Sequence, residues 1–375
     1  MRSICYLIIA IGVLAGTLTY GQAAKITSLR LDNSRPGRYA RSFQAPDGTI
    51  HLLGLFKIID QGSRVVFRNE SDPPWGTTDL NESHINTFFS RPGLFIGLLN
   101  KVKPISTGIF EGRIWRSSDN LKTLREEATT VIIPEAGEVD FGDAQLWAGL
   151  FFHRAVVELS DGSLLAAMYG NFEEDSSPPT HPWSKTESKY KLRAFAVRST
   201  DDGKSWQYLA SVAVPDRSRP DDSEGFNEWS IVRLDDGRLL GVIRTGHFTP
   251  LVVCWSEDEG RTWTDPKTIP DLGLAGCDPF LLKLSDGRLA LAYGEMVQPP
   301  PPPDRARYWA EFETSGDRRR RCRLAISRDE TGERWTTMNI SEYANRSAYP
   351  TIFEVEPNTI LYQADLELWR VEIPQ

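Results

Sequence analysis

Apolar residues fall in short runs broken by Asp-Gly turns, and one layout recurs along the chain. Four stretches share it: HRAVVELSDGSLLAAMYG from His153, EWSIVRLDDGRLLGVIRT from Glu228, DPFLLKLSDGRLALAYGE from Asp278 and YPTIFEVEPNTILYQAD from Tyr349. A fainter fifth, YARSFQAPDGTIHLLGLF, starts at Tyr39. Asp-Gly between two apolar runs is a strong hairpin signal, and Pro357-Asn358 takes its place in the stretch from Tyr349, so each stretch predicts two antiparallel strands and a turn. In the second stretch Glu228 and Arg244 stand equally far from Asp236. Pairing about that turn brings the acid opposite the arginine.

A second repeated element follows most of these hairpins. RSTDDGKSW carries Ser199, Asp201, Gly203 and Trp206, and WSEDEGRTW carries Ser256, Asp258, Gly260 and Trp263. SRDETGERW has Ser327, Asp329, Gly332 and Trp335 with one inserted residue. SSDNLKTL, from Ser117 to Leu124, reads as a decayed copy that keeps Asp119 alone. The Ser and Asp side chains suit turn amides, the Gly suits a left-handed backbone, and the Trp folds back onto a sheet. These boxes are structural and carry no chemistry of their own.

Composition narrows the class. At 375 residues with 40% hydrophobic and 25% charged, the chain is an ordinary globular protein able to bury a large core. A formal charge of −8 argues against a nucleic-acid partner, which needs a positive surface. The opening MRSICYLIIAIGVLAGTLTYGQAAK has Arg2, an apolar run and then small residues. This predicts a signal peptide over 1–24, a secreted or periplasmic mature chain from 25 to 375, and no membrane span once the leader is removed. Cys254, Cys277 and Cys322 then remain, an odd count that permits one disulfide at most. No Cys/His spacing suggests a metal site, and no cofactor is expected.

The hairpins and boxes together resemble the Asp-box, or BNR-repeat, proteins of the sialidase superfamily. The resemblance implies an all-β, six-bladed β-propeller of four-stranded antiparallel blades, forming one domain over 25–375. Five hairpins are visible. The remaining blade must lie within 56–150, where the repeat is eroded, or be divided between the termini. In a propeller the innermost strands all begin near one mouth of the central channel. Tyr39, His153, Glu228, Asp278 and Tyr349 hold that position in their repeats, and such groups converging on one axis suit an acid/base site.

The resemblance also assigns roles. Asn227-Glu228-Trp229 stands where the family has a motif like N-E-P, which makes Glu228 the general base and Arg244 one of three carboxylate-binding arginines. Phe152-His153-Arg154-Ala155 stands where the family has F-R-I-P, giving Arg154 as another. The third falls in DRRRRCR, with Arg319 the best fit. Tyr349 matches the nucleophile, and Asp175 in NFEEDSSPP matches the acid/base aspartate, with Glu173 and Glu174 as rivals. A neutral tyrosine needs a neighbouring base to take its proton. Asp278 and Tyr39, from their place in the ring rather than from the resemblance, complete the substrate-facing set. For His153 two roles stay open, a second acid/base or a structural histidine.

The implied activity is retaining hydrolysis of a terminal sialic acid-type sugar from a glycan, with a Tyr nucleophile. Two alternatives stand beside it: a propeller hydrolase or lyase for another acidic glycan such as a uronic acid, and a non-catalytic propeller that binds glycan or protein.

Overall fold

A computed structural model of the chain describes residues 23–29, 31–33, 41–45, 50–53, 56–58, 65–67, 85–137, 149–175, 191–215, 224–246, 249–273, 275–296, 320–344, 349–364 and 367–374. Residues 1–22 of the predicted leader, Tyr39 and Arg319 lie outside the described residues. The structure is all-β, with three short 3-10 turns and no α-helix among the described residues.

Each predicted hairpin opens a sheet. The first sheet joins Arg41–Gln44, Ile50–Leu53 and Val65–Phe67. The second runs through Ile85–Arg91, Leu94–Leu99, Ile109–Ser117 and Arg125–Ile132. The third runs through Leu150–Glu158, Leu164–Asn171, Leu192–Ser199 and Ser205–Ala213. The fourth holds Trp229–Arg233, Leu239–Ile243, Val252–Ser256 and Lys267–Thr268. The fifth holds Cys277–Lys283, Leu289–Met296, Arg320–Ser327 and Trp335–Ala344. The sixth takes Pro350–Glu356, Thr359–Ala364 and Glu367–Glu372, and its fourth strand is Lys25–Leu29 from the other end of the chain. Sheets two and three are joined into one nine-stranded sheet, which also takes Lys103–Ser106, by Ala155 opposite Phe88 and a parallel pairing of Arg125–Ile132 with Ser205–Ala213.

The first strands of these sheets neighbour one another in chain order, and the sixth returns to the first. Sheet faces therefore meet in pairs, and the core is divided among the gaps between them. Leu164, Ala166 and Met168 face the second sheet's cluster, whereas Leu165 and Ala167 face the fourth sheet's. Leu239 and Ile243 point one way and Leu240 and Val242 the other. A strand buried on both faces needs no polar alternation, which is why LLAAM and LLGVI read as unbroken apolar runs.

The boxes close the far ends of the sheets. Ser199 Oγ accepts the Gly203 N–H at 2.7 Å, and Asp201 Oδ1 accepts the Ser205 N–H at 2.9 Å. Ser256 and Asp258 repeat both bonds on Gly260 and Thr262. The stretch expected to keep only Asp119 keeps the whole pattern. Ser117 Oγ accepts from Leu121 N–H and Asp119 Oδ1 from Thr123 N–H, each at 2.9 Å. Leu121 sits at φ 64°, where the other copies have glycine. Its side chain packs with Phe43 and Phe95, and that burial offsets the backbone strain.

Candidate active site

Glu228 and Arg244 face each other as the turn predicts. The Arg244 N–H donates to the Glu228 carbonyl at 2.9 Å, directly before the Trp229–Ile243 pair. Their side chains meet as well, with Arg244 Nη1 2.8 Å from Glu228 Oε2. The other Glu228 oxygen, Oε1, accepts the Tyr349 hydroxyl at 2.9 Å. Tyr349 is half-buried, whereas Glu228 and Arg244 are buried, so the phenol is the accessible edge of this group.

A second cluster adjoins it. The Asp278 carboxylate accepts Arg154 Nε at 2.8 Å and Arg154 Nη2, forming a two-point pair. His153 Nε2 lies 2.9 Å from Asp278 Oδ1, and the Trp229 N–H points at His153 Nδ1 from 3.0 Å. The Trp229 carbonyl lies 3.1 Å from the same Nδ1, so this nitrogen accepts from the N–H in the neutral ring and donates to the carbonyl in the doubly protonated one, and in both Nε2 donates to Asp278. Arg154 Nη1 reaches Thr351 Oγ1 at 3.3 Å, and the Asp278 N–H donates to Glu228 Oε2 at 3.0 Å. Four sheets thus contribute to one bonded unit.

Local backbone explains how these side chains come to converge. The ladder of the third sheet's first hairpin slips between Phe152 and Val156, and that of the fifth slips between Cys277 and Phe280. Arg154 and Asp278 lie inside those bulges at φ 55° and 46°. A bulge re-aims the side chain it carries, here toward the common centre.

The electrostatics follow from burial and pairing. Burial raises the Glu228 carboxyl, and the Asp278 charge adds to it, but the charge and hydrogen bond of Arg244 together with His153 hold Glu228 below the usual glutamate range. For Asp278 burial again acts upward, and Arg154 and His153 overcome it, so the carboxyl sits well below its ordinary value. Burial works to lower Arg244, yet Glu228 and Glu224 raise it well above the usual arginine value. Tyr169 is raised by desolvation and then by Glu228.

The expected residues therefore divide. Glu228, Tyr349, Arg244, His153, Arg154 and Asp278 are brought together. Asp175 belongs to a different cluster: both its oxygens are held by Arg193, at 2.8 and 2.7 Å, and Arg193 also stacks on Phe172. Glu173 and Glu174 beside it are exposed. Near the arginine run, Arg321 and Arg323 lie 4.0 and 3.4 Å from Glu295. Cys254, Cys277 and Cys322 are buried and form no disulfide among the described residues.

Two members escaped the sequence reading. Glu224 lies 3.7 Å from Arg244 Nη2, so Arg244 is flanked by two carboxylates. It stands just before the hairpin, outside the repeat that guided the search. Tyr169 is half-buried beside the His153 ring at 5.7 Å between centroids. It is as far beyond Asp161 as His153 is before it, and the symmetry that paired Glu228 with Arg244 would have found it.

The match to a family model covers residues 96–361, well over half of the chain, and the model is the BNR repeat-like domain. The chain belongs to the BNR repeat-like family. A search of curated proteins finds no match. Among solved structures, a protein of unknown function from Dyadobacter fermentans aligns over 93% of this chain and 99% of its own, with TM-score 0.59 and 17% identity. The GH93 α-L-arabinofuranosidase of Fusarium graminearum, solved with arabinobiose, aligns over 93% and 86%, with TM-score 0.48 and 15% identity. The Hadza microbial sialidase Hz136 aligns over 75% of this chain and 50% of its own, at TM-score 0.46 and 15% identity.

Proposed function

We propose that this BNR repeat-like chain is a secreted or periplasmic glycosidase, a single six-bladed propeller over 25–375 that removes a terminal acidic sugar with retention. The observation that carries the reading is the 2.9 Å hydrogen bond from the Tyr349 hydroxyl to Glu228 Oε1. A phenol is a poor nucleophile until a base takes its proton, and Glu228 is held ionised and aimed to accept it. In the first step the proton passes to Oε1, the phenolate bonds to the anomeric carbon, and the aglycone oxygen leaves with a proton from a general acid. Water then cleaves the tyrosyl ether, and the phenol reforms. The turn Glu173–Asp175 supplies candidate acids, of which Glu173 and Glu174 are exposed, Glu174 3.6 Å from Arg193, while Asp175 is buried and held by the same guanidinium. The cyclic order of first strands and the shared sixth sheet support six blades.

One observation favours a sugar that is not gripped through its carboxylate by Arg154 and Arg244, neutral sugars included. Arg154 and Arg244 already face three carboxylates, those of Asp278, Glu228 and Glu224. A clamp for a substrate carboxylate needs cationic surplus, and these residues provide none.

Fluorogenic α-sialosides, uronosides and neutral glycosides distinguish the two readings when offered to wild type, Tyr349→Phe and Glu228→Gln. Release of at least one aglycone is expected, with kcat reduced by about a thousandfold in Tyr349→Phe. Turnover unchanged by that substitution would remove Tyr349 as nucleophile.

A further inference from the structure

Arg154 and Asp278 both matched substrate-facing positions in the sequence, yet each is consumed by the other. The Arg154 side chain is 1% exposed and the Asp278 side chain 0%. The pair lies directly behind Glu228, whose two oxygens are divided. Oε2 accepts from Arg244 Nη1 at 2.8 Å and from the Asp278 backbone N–H at 3.0 Å. Oε1 is thereby turned toward the Tyr349 hydroxyl. Arg154 also bonds Thr351, two residues beyond Tyr349 on the same sheet. One guanidinium therefore fixes the Asp278 bulge that holds Glu228, and the strand that starts beside Tyr349.

We propose that Arg154 and Asp278 are positioning residues, an internal strut that sets the distance and orientation between Glu228 and Tyr349, and that Arg154 does not bind a substrate carboxylate. The proposal rests on the Tyr349–Glu228 reading above. Geometry explains the need for a strut. The two members sit in separate sheets at left-handed backbone positions, which are strained and persist only where neighbouring contacts enforce them. The two-point ion pair locks one bulge against the other. His153, held by the Trp229 N–H at its other nitrogen, adds a third bond to Asp278 and ties it to the residue after Glu228.

The charges around Glu228 make the strut testable by sign. Facing it are Arg244 and Glu224 from its own sheet, His153, Arg154 and Tyr169 from the third, Asp278 from the fifth and Tyr349 from the sixth. In Asp278→Asn the backbone N–H remains, one negative charge goes and Arg154 is left in surplus. The acid limb of the rate profile, which reports ionisation of the base, should move to lower pH by about one unit. In Arg154→Gln the Asp278 charge is left in surplus, and the limb should move the opposite way. Both should lower kcat by about 10²-fold, the scale of a small misplacement of a reacting group. KM should stay within about twofold for substrates with and without a carboxylate, because the strut touches neither. Arg154→Lys keeps the charge and loses the two-point geometry, so its limb should stay in place while kcat falls.

A KM rise confined to carboxylate-bearing substrates in Arg154→Gln overturns the proposal, as do limbs that shift together or not at all. Loss of the Tyr349 and Glu228 roles shows separately, as full activity in Tyr349→Phe. Phenolate formation at Tyr349 supplies a readout that needs no turnover, taken as ultraviolet difference absorbance against Tyr349→Phe. Its midpoint should fall in Asp278→Asn and rise in Arg154→Gln. Identical midpoints in all three proteins would sink the strut even if no substrate had been found.

Discussion

Pairing decides what each ionisable side chain here can do. Asp175 matched the acid/base aspartate in sequence position, but its two-point bond to the buried Arg193 occupies both oxygens. A guanidinium left buried without its carboxylate is costly. Asp175→Ala should therefore lower unfolding free energy by about 3 kcal/mol, read as a shift in the urea midpoint. Asp175→Ala with Arg193→Met should recover much of that loss, because the uncompensated charge is gone. A single variant as stable as wild type would return Asp175 to the list of open acids. Glu228 differs in kind, since its carboxylate keeps one oxygen for Tyr349 after Arg244 and Asp278 take the other. Residue types alone could not separate these two acids.

At the scale of elements, the repeated box acts as a staple across the turn between the third and fourth strands of a sheet. Asp201 accepts from the Ser205 N–H and hydroxyl, at 2.9 and 2.6 Å, and Ser199 accepts the Gly203 N–H. Like a helix cap, it satisfies amides that the turn would leave unpaired. Asp201→Ala should accordingly cost about 1 kcal/mol, with Asp201→Asn costing less because one acceptor survives. Urea titration measures both, and equal losses would show that charge rather than the acceptor oxygen matters. The box near Ser117 shows where sequence inspection fails. Its bonds persist although glycine is replaced by Leu121, because the hydrogen-bonding side chains Ser117, Asp119 and Thr123 are retained. A motif defined by glycine and tryptophan misses a turn defined by its acceptors.

For the whole molecule, the sixth sheet joins the two ends of the described chain. Lys25–Leu29 pairs along its length with Glu367–Glu372, and Lys25 Nζ bonds Glu372 at 2.9 Å. Deleting residues 25–29 should bare the edge of that sheet, lower the unfolding midpoint and promote self-association through the exposed strand. Denaturation combined with light scattering tests this, and a truncated chain as stable and monomeric as the parent would show that closure does not depend on this strand. The core follows the same plan, with each apolar cluster shared between neighbouring sheets.

The hairpins, their turns and the Glu228–Arg244 register were legible in the chain because they depend on residues close in sequence and on the two-residue period of strands. The second sheet, over 85–132, was not, since its turns lack Asp-Gly and its box lacks glycine. Which acids stay open and which are cancelled was decided by tertiary structure alone. Arg154 and Asp278 are 124 positions apart, and only the meeting of separate sheets lets one neutralise the other and turn Glu228 toward Tyr349. Local pattern determines the strands; through-space charge determines the site.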